Sequence, residues 1–262
     1  DGEPKRLTLC VSSQVGCQLG CKFCATASLK LKRNLTVAEI VDQYMLVQQQ
    51  SDKQITNMVF MGMGEPMLNY DNVMKSIDIF THPDLKLIGA RHISGSTAGV
   101  LPGTQRMADE NRPVKLAISL HATTNALREK LMPLSKTFTL KKLGEAAEYY
   151  YRKTRKPITY EYILFDGLND SELDVERLAR ITRRVPSKVN VIPFHPIEFT
   201  HPEGFAAELQ ATTKENFQRF IAKLKHAGVT VMIRSSSGED IDAACGQLAF
   251  SKVAEQHAAV SL

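Results

Sequence analysis

Tryptophan is absent from the 262 residues, and aromatic residues reach only 7%. A platform of stacked rings, such as many single-strand nucleic-acid binders present, is therefore not evident in the chain. No apolar run approaches the roughly 18 residues needed to cross a bilayer, which argues against a membrane span. No charged-then-apolar leader, Ser/Gly linker, internal repeat or low-complexity tract stands out. The chain therefore reads as cytoplasmic and as one domain over residues 1–262. Glycine (15) and proline (11) are near average usage, which excludes collagen-like classes. The first residues are Asp-Gly-Glu-Pro rather than Met, as expected of a fragment or trimmed chain. Charge of one sign is scarce too. Lys and Arg number 33 against 28 Asp and Glu, a net +5 that is consistent with a polyanionic partner without requiring one.

What is present is alternation. Short apolar runs, many rich in Val and Ile, predict strands at Leu7–Ser13, Ile55–Met61, Arg91–Ser96, Val114–Leu120, Ile158–Leu164, Lys188–Pro193 and Val229–Ile233. Several are nearly continuous in hydrophobicity, the pattern of strands covered on both faces. Helical periodicity falls between them, at Val37–Gln50, Asn72–Phe80, Thr104–Glu110, Asn125–Leu131, Leu140–Thr154, Ser171–Val185 and Thr213–His226. Thr36 before Glu39, Ser171 before Asp174 and Thr212 before Glu215 supply start signals, and Gly228 a stop. Strand–helix alternation with short connections implies an α/β fold with a parallel sheet, doubly wound or closed toward a barrel. Chemistry in such folds belongs at the carboxyl ends of the strands. Cys17, Gly64, Glu65, Ser96, Ser119, His121 and His195 all fall on that rim.

Five cysteines are the informative minority. An odd count in a chain of this composition argues for metal or redox chemistry over a disulfide framework. Three of them lie in Gly16-Cys17-Gln18-Leu19-Gly20-Cys21-Lys22-Phe23-Cys24, with three and then two intervening residues. Three thiolates on one loop can hold three irons of a four-iron cluster and leave the fourth iron open to an exogenous ligand. A structural zinc site would need a fourth ligand, and the next histidine is His82. A non-catalytic RNA-binding module with such a metal site is the alternative from another class.

CxxxCxxC after a first strand, with an aromatic before the last Cys, resembles the radical S-adenosylmethionine enzymes. GCQLGCKFCATA, FMGMGEP, AISLHA and DIDAACGQL together resemble the RNA adenine methyltransferases that modify carbon 2 of adenine in ribosomal and transfer RNA. Close relatives of that group methylate carbon 8, and Pro66 after Gly64-Glu65 is more like the carbon-2 group. The resemblance implies a partial (β/α)6 TIM-like barrel preceded by a small helical domain, which this chain lacks. It implies a [4Fe–4S] cluster on Cys17, Cys21 and Cys24, and two S-adenosylmethionine molecules per turnover. Gly64, Glu65, Ser96, Ser119, Leu120 and His121 match the family's cofactor contacts. His195 stands where the family usually has Asn. A proton-accepting glutamate of the family would fall before Asp1.

The two remaining thiols also match. By the resemblance, Cys245 accepts the methyl group from one cofactor molecule and gives up a hydrogen to the radical derived from a second. The resulting methylene radical adds to the adenine ring. Cys10 then displaces the methylated base and forms a disulfide with Cys245. Ribosomal RNA, transfer RNA and an external electron donor such as flavodoxin are the implied partners of a monomer.

Overall fold

The computed structural model describes residues 6–233. Its frame is a seven-stranded sheet in the order β1 (Thr8–Cys10), β4 (Asn57–Phe60), β5 (Ile93–Thr97), β6 (Lys115–Ser119), β7 (Ile158–Leu164), β8 (Ser187–Pro193) and β9 (Val231–Ile233). Every neighbouring pair is parallel. Between these strands, apart from short 3₁₀ turns, run helices α1 (Val37–Gln49), α2 (Tyr70–Phe80), α3 (Leu101–Asp109), α4 (Asn125–Leu131), α5 (Leu140–Thr154), α6 (Glu172–Thr182) and α7 (Lys214–His226). Strand order that follows chain order, with helices packed on one face, is a half-barrel of the TIM-like type. The seven strands are those the hydrophobic pattern predicts, one more than the six the family resemblance implies.

Side-chain alternation divides the two faces of the sheet. Met58, Phe60, Leu116, Ile118, Tyr160, Tyr162, Val189 and Val191 point outward into one buried core. There they meet Ile77 and Phe80 of α2, Tyr150 of α5, Leu178 of α6 and Leu224 of α7. Each such aliphatic or aromatic side chain contributes about 1.5–3 kcal/mol on full burial. The opposite, concave face is largely polar. Register aligns Ser94 with Lys115, Ser96 with Ala117, Ser119 with Glu161, and Glu161 with Asn190.

Boundaries differ from the sequence expectation for local reasons. The first strand ends at Cys10, because the chain then turns and Ser13 donates its N–H to the Met63 carbonyl. The following residues form a separate antiparallel ribbon, β2 (Gln14–Val15) with β3 (Arg33–Asn34), which closes the base of the cysteine loop. Helix α3 starts at Leu101 rather than Thr104, with Pro102 in its first turn where a missing N–H costs nothing. Helix α7 is capped by Thr213, not Thr212, through the Asn216 N–H. Capping boxes at Thr36/Glu39 and Ser171/Asp174 form as expected.

Candidate active site

The cysteine loop can close only because of glycine at its neck. Gly16 has φ +76°, and a Cβ there would stand 1.7 Å from the Lys30 carbonyl oxygen. Within the loop Cys24 donates its N–H to the Cys21 carbonyl, and Lys22 is tied to α4 through the Leu131 carbonyl at 2.9 Å. Cys17, Cys21 and Cys24 thereby line a cavity of about 180 Å³ at the carboxyl ends of the central strands. Gly64, Glu65, Ser96, Ser119 and His121 share it.

Burial dominates the electrostatics of the cavity thiols. Burial, then the neighbouring thiols and Glu65, pushes the Cys21 thiol well up, and Cys17 is raised chiefly by burial. Among the described residues no three His, Cys, Asp or Glu side chains converge on a point that could hold a single metal ion. A four-iron cluster bonds each thiolate to a separate iron, so its ligands need not converge. The donor set therefore fits a cluster with three thiolate ligands better than a zinc ion.

Glu65 is fully buried, and burial raises its carboxyl to about 7. Its Oε2 accepts the Ala98 N–H at 2.7 Å and its Oε1 the Met67 N–H at 3.1 Å. Gly64 makes the turn at φ +94°, where a Cβ would strike Gln14 at 2.5 Å. Gln14 in turn accepts the Glu65 N–H at 2.9 Å and donates to Asn34. Such a carboxylate can receive an ammonium group, which would hold it ionised.

His121 sits at φ +52°, buried, with burial and then Arg128 lowering it to about 3. The Ile163 N–H donates to its Nδ1 at 3.1 Å, which assigns the remaining proton to Nε2. A neutral donor at the cavity wall is the result. Phe23 meets its ring edge-on at 4.7 Å.

The other expected residues divide. Ser96 and Ser119 line the cavity, and Ser96 donates its hydroxyl to the Phe60 carbonyl at 2.6 Å. Leu120 turns its side chain into the core instead, and its carbonyl accepts the Arg128 Nε. His195 is half-buried in the loop after β8, outside the cavity lining. Cys10 is exposed on the concave face, in register with Val59, and also outside that lining. No disulfide joins the four described cysteines. Cys245 lies outside the described residues.

Four residues that sequence reasoning missed support the site. Glu161 lines the cavity and accepts Asn190 Nδ2 at 2.7 Å; a lone acid in the apolar run Ile158–Leu164 was its signal. Asn169, fully buried, donates to the His121 and Ile163 carbonyls and accepts the Phe165 N–H. Gln14 braces the Gly64 turn. Arg128, 1% exposed, donates to carbonyls of Ala98, Ser119, Leu120 and Phe138 and to Ser135. In sequence it reads as an ordinary helix-surface cation.

The chain is similar to known proteins. Residues 11–179 match the radical SAM superfamily. The chain is 46% identical over 248 residues to the probable dual-specificity RNA methyltransferase RlmN of Flavobacterium johnsoniae, covering 93% of this chain and 69% of that protein. It is also 46% identical over 245 residues to the dual-specificity RNA methyltransferase RlmN of Syntrophobacter fumaroxidans, with 93% and 69% covered. The chain belongs to the RlmN family. A crystal structure of a radical SAM methyltransferase from Sphaerobacter thermophilus superposes with TM-score 0.85 at 40% identity, over 94% of this chain and 71% of that one. Spore photoproduct lyase, at TM-score 0.61 and 12% identity, shares the fold alone. The RlmN family's cofactors are a [4Fe–4S] cluster and S-adenosylmethionine, the pair for which the cavity's three thiols, carboxylate and polar rim are suited.

Proposed function

We propose that this chain methylates carbon 2 of adenine in ribosomal and transfer RNA, working as a cytoplasmic monomer with an external one-electron donor of the flavodoxin kind. The observation that carries the reading is the single cavity in which Cys17, Cys21 and Cys24 meet Glu65, Ser96, Ser119 and His121, in a chain 46% identical to proteins of that name. When bound, the cluster supplies the electron that cleaves S-adenosylmethionine and so opens radical chemistry on an electron-poor ring carbon.

The chain's own residues supply the rest. Cys17, Cys21 and Cys24 would hold three irons of the cluster. Gly64 lets the backbone approach closely, and Glu65 receives the cofactor's ammonium group. Ser96, Ser119 and the Nε2–H of His121 would bond its oxygen and nitrogen atoms. Cys245 carries the methyl group to the base and becomes linked to the adenine ring. The ring radical gives up one electron to the one-electron carrier and the carbon-2 proton to a base; attack of the Cys10 thiolate on the Cys245 sulfur then expels the methylene carbon, which takes up a proton to become the methyl group, and the two sulfurs are left as a disulfide that an external reductant reopens.

Mass spectrometry of nucleosides from ribosomal and transfer RNA treated with reconstituted protein is the test. The expected product is 2-methyladenosine. Appearance of 8-methyladenosine would move the chain to the carbon-8 group, and recovery of stoichiometric zinc with no brown chromophore would overturn the radical reading altogether.

A further inference from the structure

The concave face of the half-barrel has a second feature, at the mouth opposite the cavity. Alternation along β6 places Lys115, Ala117 and Ser119 on that face, and register places Thr159 and Lys188 beside them. Ser119 lines the cavity, whereas Lys115 lies four residues earlier, about 13 Å down the strand. Arg6 precedes β1 and Arg91 precedes β5 at the same end.

Lys188, Arg6 and Arg91 are close enough to Lys115 to act on it. Lys115 is lowered first by burial, then by Lys188, Arg6 and Arg91, and no acid offsets them. Among the described residues none of the four has an ion-pair partner. The nearest acid on this face along the strands is Glu161, which already accepts from Asn190. Beside the group, Arg6, Lys86 and His92 line a cleft of about 390 Å³ between the entries of β1, β4 and β5. Unpaired like charges gathered in a concavity repel one another unless an anion covers them.

We infer that this basic mouth binds the phosphodiester backbone of the RNA substrate, a few nucleotides from the adenine held in the cavity. The inference rests on the RNA-modifying reading above and adds to it where the strand runs. The concave face favours a nucleic acid over an acidic protein for two reasons. It is continuous with the cavity through the polar or small side chains of Ser94, Ser96, Ala117 and Thr159, and among the described residues the cations at its mouth have no ion-pair partner. Backbone contacts of this type fix register without reading sequence.

Fluorescence anisotropy of a labelled single-stranded oligoribonucleotide, titrated at several salt concentrations, tests the inference. Lys115→Ala/Lys188→Ala is compared with Lys75→Ala/Lys141→Ala, which removes the same charge from the exposed surfaces of α2 and α5. Thermal melting confirms that both variants fold. The mouth variant should lose roughly tenfold or more in affinity, irrespective of oligonucleotide sequence, and its salt slope should fall by about one to two. The matched control should stay within about twofold of the parent. Equal losses in both variants, no loss in either, or a parent that does not bind the oligonucleotide would each overturn the proposal. Nucleoside analysis judges the methylation reading separately: 2-methyladenosine formed by a mouth variant of unchanged RNA affinity would leave that reading standing and the mouth without this role.

Discussion

Arg128 meets five acceptors with one guanidinium and no carboxylate, and through them it joins α4 to the ends of β5 and β6. Burial lowers it to about 10, so it remains charged at neutral pH. Arg128→Ala removes the donor while leaving buried carbonyls behind, and each unsatisfied group costs about 1–3 kcal/mol. We expect a loss of about 3–5 kcal/mol in urea unfolding, with Arg128→Lys intermediate; a loss under 1 kcal/mol would contradict the role. His121 makes a prediction of a different kind. Its folded value of about 3 lies below the 6.5 of an unperturbed histidine, so the unfolded chain takes up a proton that the fold refuses. Stability is therefore full above about pH 6.5 and is lost progressively as pH falls toward 3. Between pH 6.5 and 4.5 the loss is about 2–3 kcal/mol, and His121→Gln, which can still accept the Ile163 N–H, should show a shallower acid slope. Identical slopes in parent and variant would remove His121 as the cause.

Elements were more legible than their edges. All seven strands of the main sheet and all seven helices lie where period and propensity put them, because both signals extend over whole elements. The edges depend on contacts distant in sequence. Cys10 ends β1 because Ser13 bonds Met63, some fifty residues away, and the β2–β3 ribbon holds Gln14 against Glu65 and Asn34. The rim residues were readable for a similar reason: glycine, cysteine and histidine at strand ends break an apolar pattern. Arg128 and Asn169 could not be read, since a helix cation and a loop amide look alike whether solvated or buried. The cysteine loop is the element whose prediction is most direct. Anaerobic reconstitution should load about four irons with a brown absorption band, and Ala at Cys17, Cys21 or Cys24 should abolish the band. Retention of full iron content by any one of these variants would remove that cysteine from the ligand set.

At the scale of the whole molecule, the half-barrel separates two kinds of thiol. Of the four described thiols, three sit in the rim cavity, and Cys10 stands apart, exposed on the concave face at the end of β1 and outside the cavity lining. Packing alone does not call for a cysteine on an exposed, concave position, whereas a thiolate that must reach a covalently held base needs access to that face. Cys10 and Cys245 should accordingly fail at different steps. If Cys245 carries the methyl group as proposed, Cys245→Ala should form neither methylated protein nor RNA-linked protein. On the same proposal, Cys10→Ala leaves the carrier in place but removes the group that displaces the base. Its RNA adduct should therefore accumulate and survive denaturing electrophoresis. Attack requires the thiolate, so release of the adduct by the unmutated protein should slow as pH falls, in step with the thiolate fraction. Denaturing gels of RNA-treated parent, Cys10→Ala and Cys245→Ala proteins across a pH series provide the measurement. An adduct in both variants, or in neither while both lose activity alike, would overturn the division of labour and leave Cys10 a structural residue of β1.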